Sequence, residues 1–462
     1  MILTKFIKNA GLSFFSMDYL ARVRKFSDKD VKISDEIKVE TKETVFKGML
    51  MPNPSSDGLI LKLGNGYNRF INFNEIKEII LIRKGKGVGN IPTSKKILRK
   101  GLPKISMIST GGTIGTHVDY KTGGVFMCRT PEQIITAVPE IRGIINIARM
   151  VSPFTTASED LTPKHWDKIG EIVLKELNDD EIRGVIITMG TDTMHYFSAA
   201  LSFMLQNLNK PVAIVGAQRS PDRGSFDGSM NLLCAAHYCK SNIAEVATIM
   251  HGSNQDDYCL AIRGTKVRKM HSSRRDAFRP INDLPLAKIW PEGKLEITND
   301  KHSKRRVGKT VLKKGFSQAG LIKAYPGSDP SIINWFIKQG YKGVVIEGTG
   351  LGHVPTGESG SESKLFDKKK SWVPYVKKAV KKGMVVAITT QTIYGRVNPF
   401  VYRNLRLLHE AGAVFCEDMH PETALVKLSW LLSNHPEHVK ELLGKNLVGE
   451  INEKMSSTAF LI

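Results

Sequence analysis

The sequence predicts an α/β protein with two doubly wound parallel sheets, preceded by a small SH3-like β-barrel domain. Three observations carry this. A region near the N-terminus alternates apolar and polar residues between turn signals and shows no helical period. From residue 104, short β-branched runs alternate with amphipathic stretches of helical length, the pattern of strand–helix–strand units. A lysine-rich stretch then interrupts that alternation, and a second α/β series follows it. At 462 residues the chain exceeds one ordinary core, so several domains are expected.

The elements follow in order. Residues 1–27 are an extension with apolar residues at helical spacing and lysines between them; it has neither a continuous apolar core nor a small-residue cleavage site, so it does not read as a secretory signal. Residues 28–85 are the barrel: "DEIKVETKETVFKGMLMP" alternates, "GLILKLGNGYNRFINF" holds an Asn-Gly turn at Asn65 and Gly66, and "IKEIILIRKG" is strand-like. Residues 86–103, rich in Gly and Lys without periodicity, are a linker. The first α/β domain, 104–295, has apolar runs in "KISMIST", "RGVIITMG", "KPVAIVGA" and "AEVATIMHGS", each ending at a polar, Gly-bearing turn. Ligands bind at such carboxyl ends of strands. Residues 296–315 are a basic inter-domain connection. Residues 316–462 are the second α/β domain, closed by a helix, "PETALVKLSWLLSNHPEHVKELL".

Composition narrows the function. Hydrophobic residues make up 41% and charged residues 24%, which is globular rather than disordered. The excess of 67 basic over 45 acidic residues, a net charge of +22, favours a polyanionic partner such as RNA. Cys128, Cys234, Cys239, Cys259 and Cys416 form no CxxC pair, which argues against a disulfide framework or a zinc site and for a reducing, cytoplasmic setting. No run reaches the ~18 uninterrupted apolar residues of a membrane span. No GxxxxGK[ST] phosphate loop is present.

Three turns carry the chemistry. "TGGT" ends at Thr113, "TMGTDTM" holds Thr191 and Asp192, and "GTKVRKMHSSRRDAF" holds Lys269. A threonine hydroxyl needs a nearby base to become a nucleophile. A lysine serves as that base when burial or neighbouring charge lowers its pKa, and a carboxylate beside it holds it in place. Backbone N–H groups of the Gly turns would then stabilise an oxyanion, so the set suits amide hydrolysis. Each piece also has a plainer reading. GGT is a common turn, and "GTDT" is a helix N-cap. Lys269 sits among Arg263, Lys266, Arg268, Arg274 and Arg275, any of which reads as a solvated charge.

"STGGTIG", "TMGTDTM" and "KMHSSRRDAF" resemble, in order and spacing, the motifs of the L-asparaginase/glutaminase family. The resemblance implies an asparaginase-like two-domain fold with Thr113 as primary nucleophile and Thr191, Asp192 and Lys269 as the activating group. Lys269 is preferred to Lys266 because its distance to Phe278 fits the family pattern. Gly112 and Gly190 would line the substrate, and Ser158, Glu159 and Asp160 of "TTASEDLTPKHW" would grip its α-amino and α-carboxylate groups. The family's activating loop tyrosine has one counterpart here, Tyr120, close behind Thr113, and its role stays open.

Longer stretches, "GVVIEGTGLGHVP", "TTQTIYGRVNPFVY", "CEDMHPETALVKLSWLL" and the barrel, resemble the branch of that family that supplies glutaminase subunits to tRNA-dependent amidotransferases. That branch implies glutamine hydrolysis and ammonia passed to a partner subunit, which uses ATP and Mg²⁺ to amidate glutamyl-tRNA(Gln). It implies no cofactor in this chain and a homodimer at the centre of an α2β2 assembly. The alternatives are a free-standing cytosolic L-asparaginase and an inactive RNA-binding scaffold. The residues alone leave open whether Thr113 or Thr191 attacks first. Nor do they choose glutamine over asparagine, since one methylene is worth only about 1–3 kcal/mol.

Overall fold

The computed structural model describes residues 19–51, 53, 57–64, 67–85, 98–118, 125–127, 134–135, 137–221, 224–357 and 367–460. The Asn65–Gly66 turn, Tyr120, Cys128, most of the 86–103 linker and residues 1–18 of the extension lie outside them.

Five strands make the small domain: β1 (Glu36–Thr41), β2 (Val45–Met51), β3 (Gly58–Leu63), β4 (Asn68–Asn72) and β5 (Ile76–Arg83). They form one antiparallel sheet in the order β4-β3-β2-β1-β5. Alternation puts Ile37, Val39, Leu59, Leu61, Ile71 and Ile79 inside. So small a sheet buries too little on its own, and the end of the extension completes its core. Tyr19 and Val23 are buried, the Tyr19 hydroxyl donates to Met51 O at 2.7 Å, and the Phe26 ring stacks on Phe73 with centroids 5.7 Å apart.

The first α/β domain contains β6 (Lys104–Ser109), β7 (Thr116–Val118), β8 (Val125–Met127), β9 (Asn146–Val151), β10 (Ile182–Thr188), β11 (Leu205–Gln206), β12 (Val212–Val215), β13 (Val246–His251), β14 (Cys259–Arg263), β15 (Val267–Lys269), β16 (Phe278–Pro280), β17 (Ala287–Ile289) and β18 (Leu295–Ile297). Eight of them form a sheet in the order β18-β17-β14-β13-β12-β10-β6-β9. The pairs β9–β6, β6–β10, β10–β12 and β12–β13 are parallel, crossed over by helices that include Pro163–Leu177, Met194–Met204 and Gly228–Lys240. The sheet is not parallel throughout, because β13–β14, β14–β17 and β17–β18 pair antiparallel. The loop from His251 to Cys259 is too short for a crossover helix, so the chain has to return as a hairpin.

The second α/β domain has a parallel sheet, β20 (Ala319–Lys323), β21 (Gly343–Gly348), β22 (Val385–Thr390) and β23 (Val414–Phe415) in sequence order, and β19 (Val311–Leu312) pairs back onto β11. The stretch read as a basic connection is therefore partly structured. It begins inside β18, and Arg305 donates to Ser241 O at 2.7 Å, Cys239 O at 2.7 Å and Arg183 O at 2.8 Å. The last predicted helix is broken. It runs Pro421–Asn434, Pro436 prevents continuation, and a short helix resumes at Val439–Leu443.

The two α/β domains share a core. Ala199, Ala200, Phe203 and Met204 of the helix that follows "TMGTDT" pack with Ala424, Leu428, Trp430 and Leu431, and the Phe203 and Trp430 rings stack at 5.8 Å. At roughly 1.5–3 kcal/mol for each large side chain buried, this contact locks one domain to the other. Cys234, Cys239, Cys259 and Cys416 are buried and unpaired, and burial pushes the Cys239 and Cys416 thiols up to about 12. Among the described residues no helix is long and apolar enough to cross a membrane, and no group of three or more His, Cys, Asp or Glu could hold a metal.

Candidate active site

Sheet register brings the first two motifs together. β6 and β10 are parallel neighbours with Ser109 opposite Thr188, so "TGGT" and "TMGTDT" leave the sheet side by side. Thr110 N donates to Thr188 O at 3.0 Å, which ties the two exits. Gly112 has φ +84, and a Cβ there would stand 2.2 Å from Gly190 N. The turn therefore needs glycine for its conformation and for its approach to the neighbouring backbone. Thr113 opens a single 3-10 turn, Thr113–Gly115, directly after this contact. On the other side of Gly190 lies Ser158, with Cβ and Oγ both 2.9 Å from where a Gly190 Cβ would be. Gly112, Gly190 and Ser158 are thus stacked in contact.

Ser158, Glu159 and Asp160 form one 3-10 turn, pinned where Thr193 Oγ1 donates to Ser158 O at 2.6 Å. Ser158 is buried. Glu159 and Asp160 are exposed, and their carboxylates have no hydrogen bond or ion pair among the described residues. Two carboxylates and one buried hydroxyl beside the Gly turns can receive an ammonium and a polar tail.

Lys269 arrives from a different element. β15 and β16 pair only with each other, with Lys269 opposite the buried Phe278. Phe278 anchors the ribbon, and Lys269 Nζ reaches across to donate to Thr191 Oγ1 at 2.9 Å and Asp192 Oδ1 at 2.6 Å. Thr191 is buried, whereas the Asp192 side chain is 65% exposed. The arrangement is one ammonium within hydrogen-bond reach of both a hydroxyl and a carboxylate, the reach that proton transfer requires. Tyr120 lies outside the described residues.

The surrounding charges depart from the solvated reading of the basic stretch. Lys266, three residues before Lys269, has a side chain only 1% exposed and donates to Asp418 Oδ2 at 2.7 Å. Burial lowers its pKa, against the pull of Asp418. Arg263 is also buried, 3.2 Å from Glu245 and 3.6 Å from Asp283. Arg275 pairs with Asp256 at 2.5 Å, while Arg274 and Arg279 converge on Asp276 at 2.8 and 2.7 Å. The "RR" of "SSRRDAF" thus holds loops together.

Several groups near Lys269 escaped the sequence reading. Arg268 donates through Nε and Nη2 to Glu422 Oε1 at 3.0 and 2.9 Å. His420 bridges Glu422 and Thr423, each at 2.9 Å. Burial works against the Glu422 carboxylate, but the His420 hydrogen bond and the charges of His420 and Arg268 outweigh it and hold its pKa below the usual range. His195 is buried with no hydrogen-bond partner at Nδ1 among the described residues. Burial lowers its pKa to about 4, helped by the charges of His420, Arg268 and Lys269 and opposed by Glu422. The signal in sequence was "CEDMHPET", whose polar density precedes an amphipathic helix without stating where it points.

Residues 104–303 match the asparaginase N-terminal domain, 318–443 the glutaminase/asparaginase C-terminal domain, and 31–82 the GatD N-terminal domain. The chain is 46% identical over 453 residues to the GatD subunit of the glutamyl-tRNA(Gln) amidotransferase of Pyrococcus furiosus, covering 96% of this chain and 100% of that one. It is 40% identical over 441 residues to the protein of the same name from Methanosarcina mazei, covering 92% and 99%. Among solved structures, the thermostable L-asparaginase from Thermococcus kodakarensis superposes with TM-score 0.66 at 25% identity. L-asparaginase I from Vibrio cholerae superposes with TM-score 0.64 at 28% identity. Each covers 76% of this chain and is itself covered completely.

Proposed function

Because the chain belongs to the GatD family of glutamyl-tRNA(Gln) amidotransferase subunits, built on the asparaginase fold, we propose that it is the glutaminase half of a tRNA-dependent amidotransferase. The observation that carries this reading is the contact of Lys269 Nζ with Thr191 and Asp192, beside the Gly112–Gly190 turn that presents Thr113.

Glutamine lies with its α-amino and α-carboxylate groups on Ser158, Glu159 and Asp160 and its carboxamide carbon at Thr113. The Thr113 hydroxyl attacks that carbon and its proton passes toward the Thr191–Lys269–Asp192 group. Backbone N–H groups of the Gly turns receive the oxyanion. Collapse breaks the C–N bond, the proton goes to the leaving nitrogen, and ammonia departs. Water then cleaves the acyl-Thr113 ester, giving glutamate and the free hydroxyl. Ammonia passes to the partner subunit of the amidotransferase, which uses ATP and Mg²⁺ to activate and amidate glutamyl-tRNA(Gln). A homodimer of this chain centres an α2β2 heterotetramer, and the +22 charge suits an assembly that holds tRNA.

The test is ammonia release from glutamine by the purified chain, alone and with glutamyl-tRNA(Gln) and the ATP-using partner subunit. Weak turnover alone that rises in the full complex, and disappears in Thr113→Ala, is the expected result. Fast asparagine hydrolysis, indifferent to partner and tRNA, would instead make the chain a free-standing L-asparaginase.

A further inference from the structure

Lys269 stands on weak local support. β15 and β16 have three residues each and form a two-stranded ribbon separate from the eight-stranded sheet. An isolated two-stranded ribbon is marginal by itself. Buried Val267 and Phe278 anchor it in the core of the first domain, and its polar residues take their support from elsewhere.

That support comes from the second domain. Thr265 O accepts from Thr423 Oγ1 at 3.0 Å. Lys266 is held by Asp418 at 2.7 Å, and Arg268 by Glu422 at 2.9 Å. Asp418 is itself fixed, with Asn452 N donating to Oδ1 at 3.0 Å and Asn452 Nδ2 to Oδ2 at 3.2 Å. Just beyond β16, Asn282 Nδ2 donates to Asp418 O at 2.8 Å. Three of the four residues that lead into Lys269 are thus gripped by one segment, Asp418–Thr423, which runs from a turn into the start of the Pro421–Asn434 helix, more than 150 positions away in sequence. The fourth, Val267, is buried in the core.

We propose that the Asp418–Thr423 segment is the positioning element of the amidohydrolase site: it sets the ribbon so that Lys269 meets Thr191 and Asp192. Asp418, Glu422 and Thr423 are positioning residues, acting through Lys266, Arg268 and Thr265 without touching the reacting atoms. This rests on the reading of Lys269 as a catalytic group.

The experiment uses Thr423→Val, Thr423→Ser, Glu422→Gln and a distant control, Lys314→Ala, in the full chain bound to its ATP-using partner subunit. Two readouts are taken: kcat and KM for glutamine, and the rate at which Lys269 is trinitrophenylated, followed by peptide mass spectrometry. Thr423→Val and Glu422→Gln are expected to lower kcat roughly 10- to 100-fold with KM unchanged, because displacing a catalytic group by about an ångström costs that much. Lys269 should label several-fold faster in the same variants. Thr423→Ser should restore both values, and Lys314→Ala should move neither. Unchanged kcat in the two variants, or lowered kcat with unchanged labelling of Lys269, would overturn the positioning role. If the wild-type complex hydrolyses no glutamine while labelling responds as described, the proposed function fails and the positioning role stands.

Discussion

Lys266 and Lys269 lie three residues apart on one stretch of chain, yet the first is 1% exposed and closed against Asp418, while the second is 10% exposed and open toward Thr191 and Asp192. At the base of the ribbon, a cation and an anion are both out of water in a contact that crosses the domain interface. At its tip, the same residue type keeps a carboxylate partner that is mostly solvated. A lysine held by a buried partner is a rivet; a lysine held by an exposed carboxylate and a hydroxyl can exchange protons with what binds there. The difference lies in surroundings, since the side chains are identical.

Exchanging each lysine for the isosteric, uncharged methionine should separate the two roles. Lys269→Met should cost activity above all, about 10²–10⁴-fold in kcat for glutamine, the range general acid–base groups supply. Its thermal unfolding midpoint should stay near wild type. Lys266→Met should act first on stability, with a kcat loss held to the roughly 10- to 100-fold of a displaced ribbon. It leaves Asp418 buried without its cation, and breaking such a pair costs about 3–5 kcal/mol of stability, read as a lower urea midpoint. Adding Asp418→Leu should recover part of that loss. If Lys266→Met unfolds no earlier than Lys269→Met, the contrast between rivet and catalyst is wrong.

The parts of this site differ in how far sequence reveals them. "TGGT" and "TMGTDT" are legible because a Gly-bearing turn after a β-branched run marks a strand end, and adjacent strand ends in a parallel sheet meet. Lys269 is one of several basic residues in its stretch, and only the family resemblance singles it out. Lys266 and Arg263 read as solvated because burial of a cation depends on partners, and Asp418 and Glu245 are distant or unremarkable in sequence. The antiparallel edge strands escape for a related reason: β14 is five apolar-rich residues, and its direction follows from loop length rather than from its own pattern. Tyr19 and Val23 look like a loose helix until the small sheet shows a core that needs them.

A smaller effect is expected at the turn beside Thr113. Gly112→Ala places a Cβ 2.2 Å from Gly190 N and forces an L-residue to φ +84. Gly101→Ala imposes a similar φ of +88 with nothing within 4 Å. The strain alone is worth about 1–3 kcal/mol, so Gly101→Ala measures it, and any further loss in Gly112→Ala reports the backbone contact. Gly112→Ala should also reduce ammonia release, because Gly190 and Ser158 must shift. Equal stability losses at the two positions would remove that contact from the account.

The smallest effect tests whether the charge of Lys269 is felt at its neighbours. His195 titrates near 6.5 when unfolded and at about 4 in the folded protein, chiefly because it is buried. Between those values the unfolded chain carries the extra proton, so stability is fully present above pH 6.5 and falls as pH drops toward 4. The slope is at most about 1.4 kcal/mol per pH unit from this one group. Urea midpoints against pH should show it in wild type, and His195→Gln should flatten the curve in that window. Lys269 contributes to holding the imidazole neutral, so Lys269→Met should move the His195 midpoint upward, a shift visible in the His195 ring proton resonance during titration. Lys266→Met gives the matching control, since the charge of Lys266 is engaged by Asp418 and is not among the causes of the His195 shift. An upward shift in Lys269→Met alone would place the charge that His195 feels at the tip of the ribbon and not at its base; equal shifts in both variants would abolish that distinction.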